Sequence, residues 1–143
     1  MSKLLIDTNI VLDLLAKREP FYESAAQVFT LADKQKLKLG VSSMTIANTN
    51  YVLSRLSSAK EAREILRKFK ILVQILELNE KIVELALNDD DFADFEDGLQ
   101  YYTAVEHNQE VIITRDLKDF KESKIPVMTA EEYLTSIEET RKR

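Results

Sequence analysis

The chain has 143 residues, 45% of them hydrophobic, which is the size and composition of one ordinary domain able to bury a core without covalent staples. It contains no cysteine, which excludes disulfides, thiolate nucleophiles and cysteine metal sites, and its single histidine, His107, makes histidine-rich sites implausible, so any metal must be held mainly by oxygen. The formal charge of −5 works against binding a polyanion unless basic surface or bound cations intervene. With no long apolar run and no leader pattern in its first residues, the chain reads as a soluble cytoplasmic protein that does not enter a membrane.

Lys3 to Ile6 is a short apolar run that ends in Asp7-Thr8-Asn9, after which Ile10, Val11, Leu14 and Leu15 recur at helical spacing. The pattern predicts strand, tight turn and helix, with Pro20 breaking the helix. Ala25, Val28, Phe29 and Ala32 mark the buried face of a second helix to about Lys36, and Leu37 to Val41 is a second strand. Ser42 and Ser43 can cap a helix through about Leu56, and Ser57 or Ser58 the next, which runs to about Lys70 with Ala62, Ile65, Leu66 and Phe69 inward. Ile71 to Leu76 reads as a third strand. Asn79 caps a helix bearing Ile82, Val83, Leu85 and Ala86, followed by the acidic stretch Asp89-Asp90-Asp91. A helix from about Phe95 to Asn108 leads into a fourth strand, Val111 to Thr114. Ile125 to Met128 adds an edge strand, and Thr129 caps a last helix ending in Arg141-Lys142-Arg143. Strands alternating with helices imply a single α/β domain over residues 1–143 with a mostly parallel sheet of four or five strands, and residues 137–143 are expected to be flexible.

In an open parallel sheet, functional groups collect beyond the carboxyl ends of the strands. Asp7 follows the first strand, Asp116 follows the fourth with only Arg115 between, and Asp97 lies near the start of the preceding helix. If the first and fourth strands are neighbours, these three carboxylates converge on one cleft, where divalent cations would relieve their repulsion. Such a cluster suits phosphodiester hydrolysis by metal-activated water. Each acid also has an ordinary reading: Asp7 as a helix cap, Asp97 as a partner of a helix dipole, Asp116 as a turn opener.

The stretches Leu4-Leu5-Ile6-Asp7-Thr8-Asn9, Asp94-Phe95-Glu96-Asp97-Gly98-Leu99-Gln100, Ile113-Thr114-Arg115-Asp116 and Asp119-Phe120 together resemble a PIN domain, and within that family the bacterial branch containing ribonuclease toxins of VapC type. The resemblance implies a three-layer α/β/α fold and an endoribonuclease dependent on Mg²⁺ or Mn²⁺. It also implies an RNA substrate, a cognate antitoxin protein and homodimers. It places metal-site acids at Asp7, Asp97 and Asp116. Where many members carry a glutamate, this chain has Asn48, which offers an amide oxygen but neither negative charge nor basicity. Asp94, one turn before Asp97, is either the substitute acid or the helix N-cap. Thr114 can hydrogen-bond a carboxylate or a metal-bound water, Asp119 can support the site or lie on the surface, and Thr8 and Asn9 can orient Asp7 or a phosphate.

Lys60, Arg63, Arg67 and Lys70 fall on one side of a predicted helix, forming either an RNA phosphate track or a solvated face balanced by Glu61 and Glu64. Two further readings remain from other classes. One is a PIN-like RNA- or protein-binding module weakened in catalysis by Asn48. The other is a phosphotransfer domain of receiver type, which fits less well because Asp7 stands alone where receivers need an acidic pair.

Overall fold

The computed structural model describes residues 1–142; Arg143, the last residue of the basic tail, lies outside the described residues. Five strands, β1 (Ser2–Ile6), β2 (Leu37–Ser42), β3 (Gln74–Leu76), β4 (Val111–Ile113) and β5 (Val127–Met128), form one sheet in the order β3-β2-β1-β4-β5. Every pairing is parallel, so the sheet is wholly rather than mostly parallel. Parallel neighbours require crossovers, supplied here by α1 (Thr8–Leu15), α2 (Tyr22–Asp33), α3 (Ser43–Leu56), α4 (Ala59–Phe69), α5 (Glu80–Leu87) and α6 (Phe95–Glu106), with α7 (Ala130–Lys142) closing the chain. Residues 137–142, expected to be flexible, continue α7.

The side-chain alternation along β1 divides the core in two. Leu4 and Ile6 pack with Ile10, Val28, Phe29, Leu39, Val41, Leu66 and Phe69 on the face covered by α1, α2, α3, α4 and α7. Leu5 points the other way, into Leu76, Phe92, Tyr101, Ala104, Ile112 and Phe120 beneath α6. This is the three-layer arrangement that the alternating strands and helices require. No helix among the described residues is long and apolar enough to cross a membrane.

Two strands are shorter than the apolar runs that predict them. The run Ile71–Val73 does not pair: Ile71 N and Leu72 N donate to Lys68 O and Phe69 O, continuing the turn after α4, and Ile71 stands 82% exposed. Pairing begins only where Gln74 meets Gly40. At the other edge, Ser123 Oγ bonds both Ile125 N and Ile125 O, and Pro126 has no N–H to give, so β5 starts at Val127. The helix α6 ends at Glu106 because Asn108 takes a left-handed conformation, φ 56°, and turns the chain into β4.

Gly40 lies where β2 must pass close to the edge strand. A methyl group there would come within 2.7 Å of Leu76 Cδ1 and 3.1 Å of Gln109 Oε1, and Leu76 is itself buried. Replacing glycine in a strand ordinarily helps by restricting the unfolded chain, but here overpacking outweighs that gain. Gly40→Ala is expected to lower unfolding free energy by about 1–3 kcal/mol in urea denaturation. Unchanged stability would show that Leu76 has room to move aside.

Candidate metal and phosphate site

The central position of β1 and β4 brings their carboxyl ends side by side, and an open cleft of about 260 Å³ sits over them. Asp7, Asp97 and Asp116 all line it, as do Thr8, Asn9 and Asn48. The chain thus gathers the three acids singled out from the sequence, and places Asn48 of α3 on the same wall.

Asp7 is both a helix cap and the most buried of these acids. Its backbone is extended (φ −72°, ψ 156°) and Oδ1 accepts from Thr8 N at 2.8 Å, so it starts α1. The same oxygen accepts from Gln100 Nε2 at 3.0 Å, while Oδ2 accepts from Thr114 Oγ1 at 2.8 Å and from Asn9 Nδ2 at 3.4 Å. Only 8% of Asp7 is exposed. Burial raises its pKa even against these stabilising bonds, and the neighbouring Asp116 charge adds to the rise.

Thr114 and Asn9 tie the second acid to the first. Thr114 is fully buried, and its Oγ1 accepts from Asp116 N at 3.1 Å while donating to Asp7. The Asn9 amide nitrogen lies 3.1 Å from Asp116 Oδ2 and 3.2 Å from Thr114 Oγ1, and its oxygen accepts from Arg115 N at 3.2 Å. Asp116 is exposed. Opposite, Asp97 is half-buried in the first turn of α6, and its pKa is pushed up to about 7, first by burial and then by the charges of Asp94, Asp119, Asp7 and Asp116.

Asp94 caps α6, with Oδ1 accepting from Glu96 N at 2.8 Å. It does not line the cleft; Glu96 does. Asp119 sits in the short 3-10 helix Leu117–Phe120 and is exposed, acting on Asp97 through its charge. Lys60, Arg63 and Arg67 of α4 and Lys70 at its C-terminal cap are all exposed, and three of them (Arg63, Arg67 and Lys70) border a different groove, floored by Ile46, Leu66 and Ile75. The basic face and the acidic cleft are therefore separate surfaces.

Several contributors escaped the sequence reading. Gln100 is one turn beyond Asp97 on the same side of α6, 2% exposed and in contact with Asp7; its polarity within a helix face leading to the core is the signal that marks it. Asp13 is wholly buried in the apolar run of α1, a position that requires a countercharge. Arg115 supplies it bidentately, Nε to Oδ2 at 2.8 Å and Nη2 to Oδ1 at 3.1 Å, with its guanidinium 4.0 Å from the Phe21 ring centre. This pair pins the turn carrying Asp116 onto α1. Arg18 contributes positive charge at the cleft wall.

Among the described residues, no three acidic or histidine side chains approach closely enough to form a closed metal cage. The cleft is an open set of oxygen donors, with the Asn9 amide standing between Asp7 and Asp116.

With this geometry, the chain is similar to known proteins over most of its length. The family model described as a PIN domain matches residues 3–118. Ribonuclease VapC1 of Aquifex aeolicus is 32% identical over 139 residues, covering 92% of this chain and 93% of that protein. Among solved structures, a toxin-antitoxin complex from Klebsiella pneumoniae has a chain with TM-score 0.67 and 25% identity, covering 89% of this chain and 97% of that one. VapBC2 from Rickettsia felis, bound to a DNA fragment from its promoter, aligns with TM-score 0.65 and 19% identity over 88% of this chain and 96% of that one, a likeness of fold.

The raised Asp97 pKa makes a stability statement of defined sign. In the folded protein without metal Asp97 holds its proton up to about pH 7, against an ordinary value of 3.8, so between these values the native state binds more protons than the unfolded chain. Its contribution is full below the lower value and is lost as pH rises through the upper one. Asp97→Asn is therefore expected to raise the thermal midpoint of chelator-treated protein, by an amount that grows from about pH 4 to about pH 7 and then levels off. A midpoint difference independent of pH would contradict the crowding of charge at this position.

Proposed function

Because the chain belongs to the PIN-domain family, we propose that it is an endoribonuclease dependent on Mg²⁺ or Mn²⁺, acting as the toxin of a toxin–antitoxin pair. The observation that carries this reading is the convergence of Asp7, Asp97 and Asp116 on one cleft at the ends of β1 and β4. The ribonuclease name of the Aquifex relative and the toxin–antitoxin complexes among the structural neighbours support the substrate class and an antitoxin partner. Homodimers remain part of the proposal through family resemblance.

The donor set fits a hard divalent cation. All the candidate ligands are oxygens, and the repulsion that raises the Asp97 pKa is what a bound cation would relieve. Asp7, Asp97 and Asp116 would hold the ion, with the Asn48 amide available in the same cleft. Bound there, Mg²⁺ or Mn²⁺ supplies charge stabilisation and an activated water for phosphodiester hydrolysis. The chain's own residues do the positioning: Thr114, Gln100 and the α1 amide keep Asp7 in one rotamer, and the Asp13–Arg115 pair holds the Asp116 turn in place. Arg18 supplies positive charge for a polyanion at a cleft otherwise rich in acids.

A neutral Asn48 and an open ligand arrangement favour weak metal affinity, which is the observation behind a second reading, a PIN-like binding module with little or no catalysis. RNA cleavage by the purified protein in Mg²⁺ or Mn²⁺ separates the two. Under the ribonuclease reading, Asp7→Asn and Asp116→Asn each reduce kcat/KM by more than about 100-fold, and undiminished cleavage by either variant would refute the assignment. Asn48→Glu restores the missing acid and is expected to tighten Mn²⁺ binding by roughly tenfold in calorimetry. No tightening would remove Asn48 from the proposed ligand set.

A further inference from the structure

Beside Asp7 runs a chain of three hydroxyls whose hydrogen-bond direction can be assigned from its partners. Ser42 caps α3: its Oγ accepts from Thr45 N at 3.1 Å and donates to Thr45 Oγ1 at 3.2 Å. Thr45 Oγ1 also accepts from Gln100 Nε2 at 2.9 Å. A hydroxyl has two acceptor lone pairs and one proton, so with both lone pairs engaged Thr45 must donate to Thr8 Oγ1, 2.9 Å away.

The orientation of the Gln100 amide is itself determined. Its Nε2 also lies 3.0 Å from Asp7 Oδ1, and turning the amide over would press its oxygen against that carboxylate. The side chain keeps this orientation even though its Oε1 is buried without a partner among the described residues. An unpaired acceptor is tolerated on one side so that one NH₂ group can hold both Asp7 and Thr45 on the other.

Thr8 is the open end of the chain. It receives a hydrogen bond from Thr45, and its own proton has no other partner among the described residues. It lines the cleft with the carboxylates Asp7, Glu96, Asp97 and Asp116. Unlike the Asn9 amide, which is spent on Asp7 and Asp116, this hydroxyl proton is uncommitted among the described residues, and with the Arg18 guanidinium on the same cleft it is complementary to an entering anion whose oxygens need donors. We propose that Gln100 is a positioning residue that sets the direction of the Ser42–Thr45–Thr8 chain, so that Thr8 Oγ1–H is presented to a non-bridging oxygen of the RNA phosphate. This rests on the ribonuclease reading above and names a phosphate contact within it.

The test uses Thr8→Val, which removes the hydroxyl at nearly constant volume, and Thr8→Ser, which keeps it. Thr8→Val is expected to lower kcat/KM for RNA roughly tenfold and to weaken binding of a short deoxyoligonucleotide in Mn²⁺ by a similar factor, read by fluorescence anisotropy, as for loss of a hydrogen bond to a charged group. Thr8→Ser keeps most of both. Affinity for Mn²⁺ alone, measured by calorimetry, stays unchanged in either variant. Gln100→Leu breaks the chain at its source and Thr45→Val breaks it at its middle without touching the Gln100–Asp7 bond. In either background Thr8→Val should add little. Thermal melting identifies a background that fails to fold, in which case the other decides.

Wild-type behaviour in Thr8→Val, its full additional loss on top of Thr45→Val, or a fall in Mn²⁺ affinity would each overturn the phosphate assignment while leaving the ribonuclease reading standing. A wild-type protein that neither cleaves RNA nor binds the oligonucleotide would overturn both together.

Discussion

The organisation of the cleft depends on one constraint: a carboxylate, Asp7, is buried at the end of the central strand of a parallel sheet. Taking that group out of water disfavours its charged form, and the fold answers with four donors from three elements. The first turn of α1 contributes Thr8 N, α6 contributes the Gln100 amide, the end of β4 contributes the Thr114 hydroxyl, and α1 again contributes Asn9. The donors come from three separate elements, so satisfying Asp7 fixes where α1, α6 and the β4 turn stand relative to one another. The compensation is incomplete, because burial still leaves the Asp7 pKa raised.

A second buried charge does comparable work farther from the cleft. Asp13 and Arg115 form a bidentate pair with Asp13 wholly inside and Arg115 stacked on Phe21. Replacing such a pair by apolar residues is often neutral for stability, so its place here is better understood as geometric. It joins α1 to the residue between Thr114 and Asp116, and through Asn9, which accepts from Arg115 N, it is continuous with the network around Asp7. The two ion-bearing elements of the cleft are thereby set by side chains that do not themselves line it with charge.

The alternating pattern of strands and helices made the three-layer fold legible, because short apolar runs such as Leu4–Ile6 and Leu37–Val41, too short for helices and separated by segments of helical spacing, fit the strands of a buried parallel sheet. Edge strands were less legible. Ile71–Val73 has the composition of a strand, but Ile71 N and Leu72 N are spent on the turn after α4, and where a chain leaves its turn to pair is not contained in composition. The acids at strand ends could be placed by topology alone once β1 and β4 were neighbours. What composition and spacing could not supply was the second layer of contacts: Gln100 meets Asp7 and Thr45 across separations of 93 and 55 residues, and Asp13 meets Arg115 across 102. Such pairs have no local signature beyond a polar residue in an apolar stripe. The Asp94 ambiguity between cap and substitute acid likewise turned on a side-chain direction, with its carboxyl turned to Glu96 N and Glu96 lining the cleft.

These contacts divide the cleft into a fixed half and an adjustable half. On the fixed side, Asp7 and Thr114 are buried, multiply bonded and unable to change rotamer without stranding a polar group. On the adjustable side, Asp116 is exposed, held at its carboxylate by the Asn9 amide alone among the described residues, and Asp97 is half-buried under the repulsion of four other acids. The asymmetry follows from where each acid sits: a strand end in the core must be satisfied by protein, whereas a helix start or a turn at the rim can be satisfied by solvent. A cation entering such a cleft would meet one ligand already oriented and others that gain by turning toward it. The open spacing of the acids is then what charge repulsion imposes on an adjustable rim, with the fixed Asp7 as its point of reference.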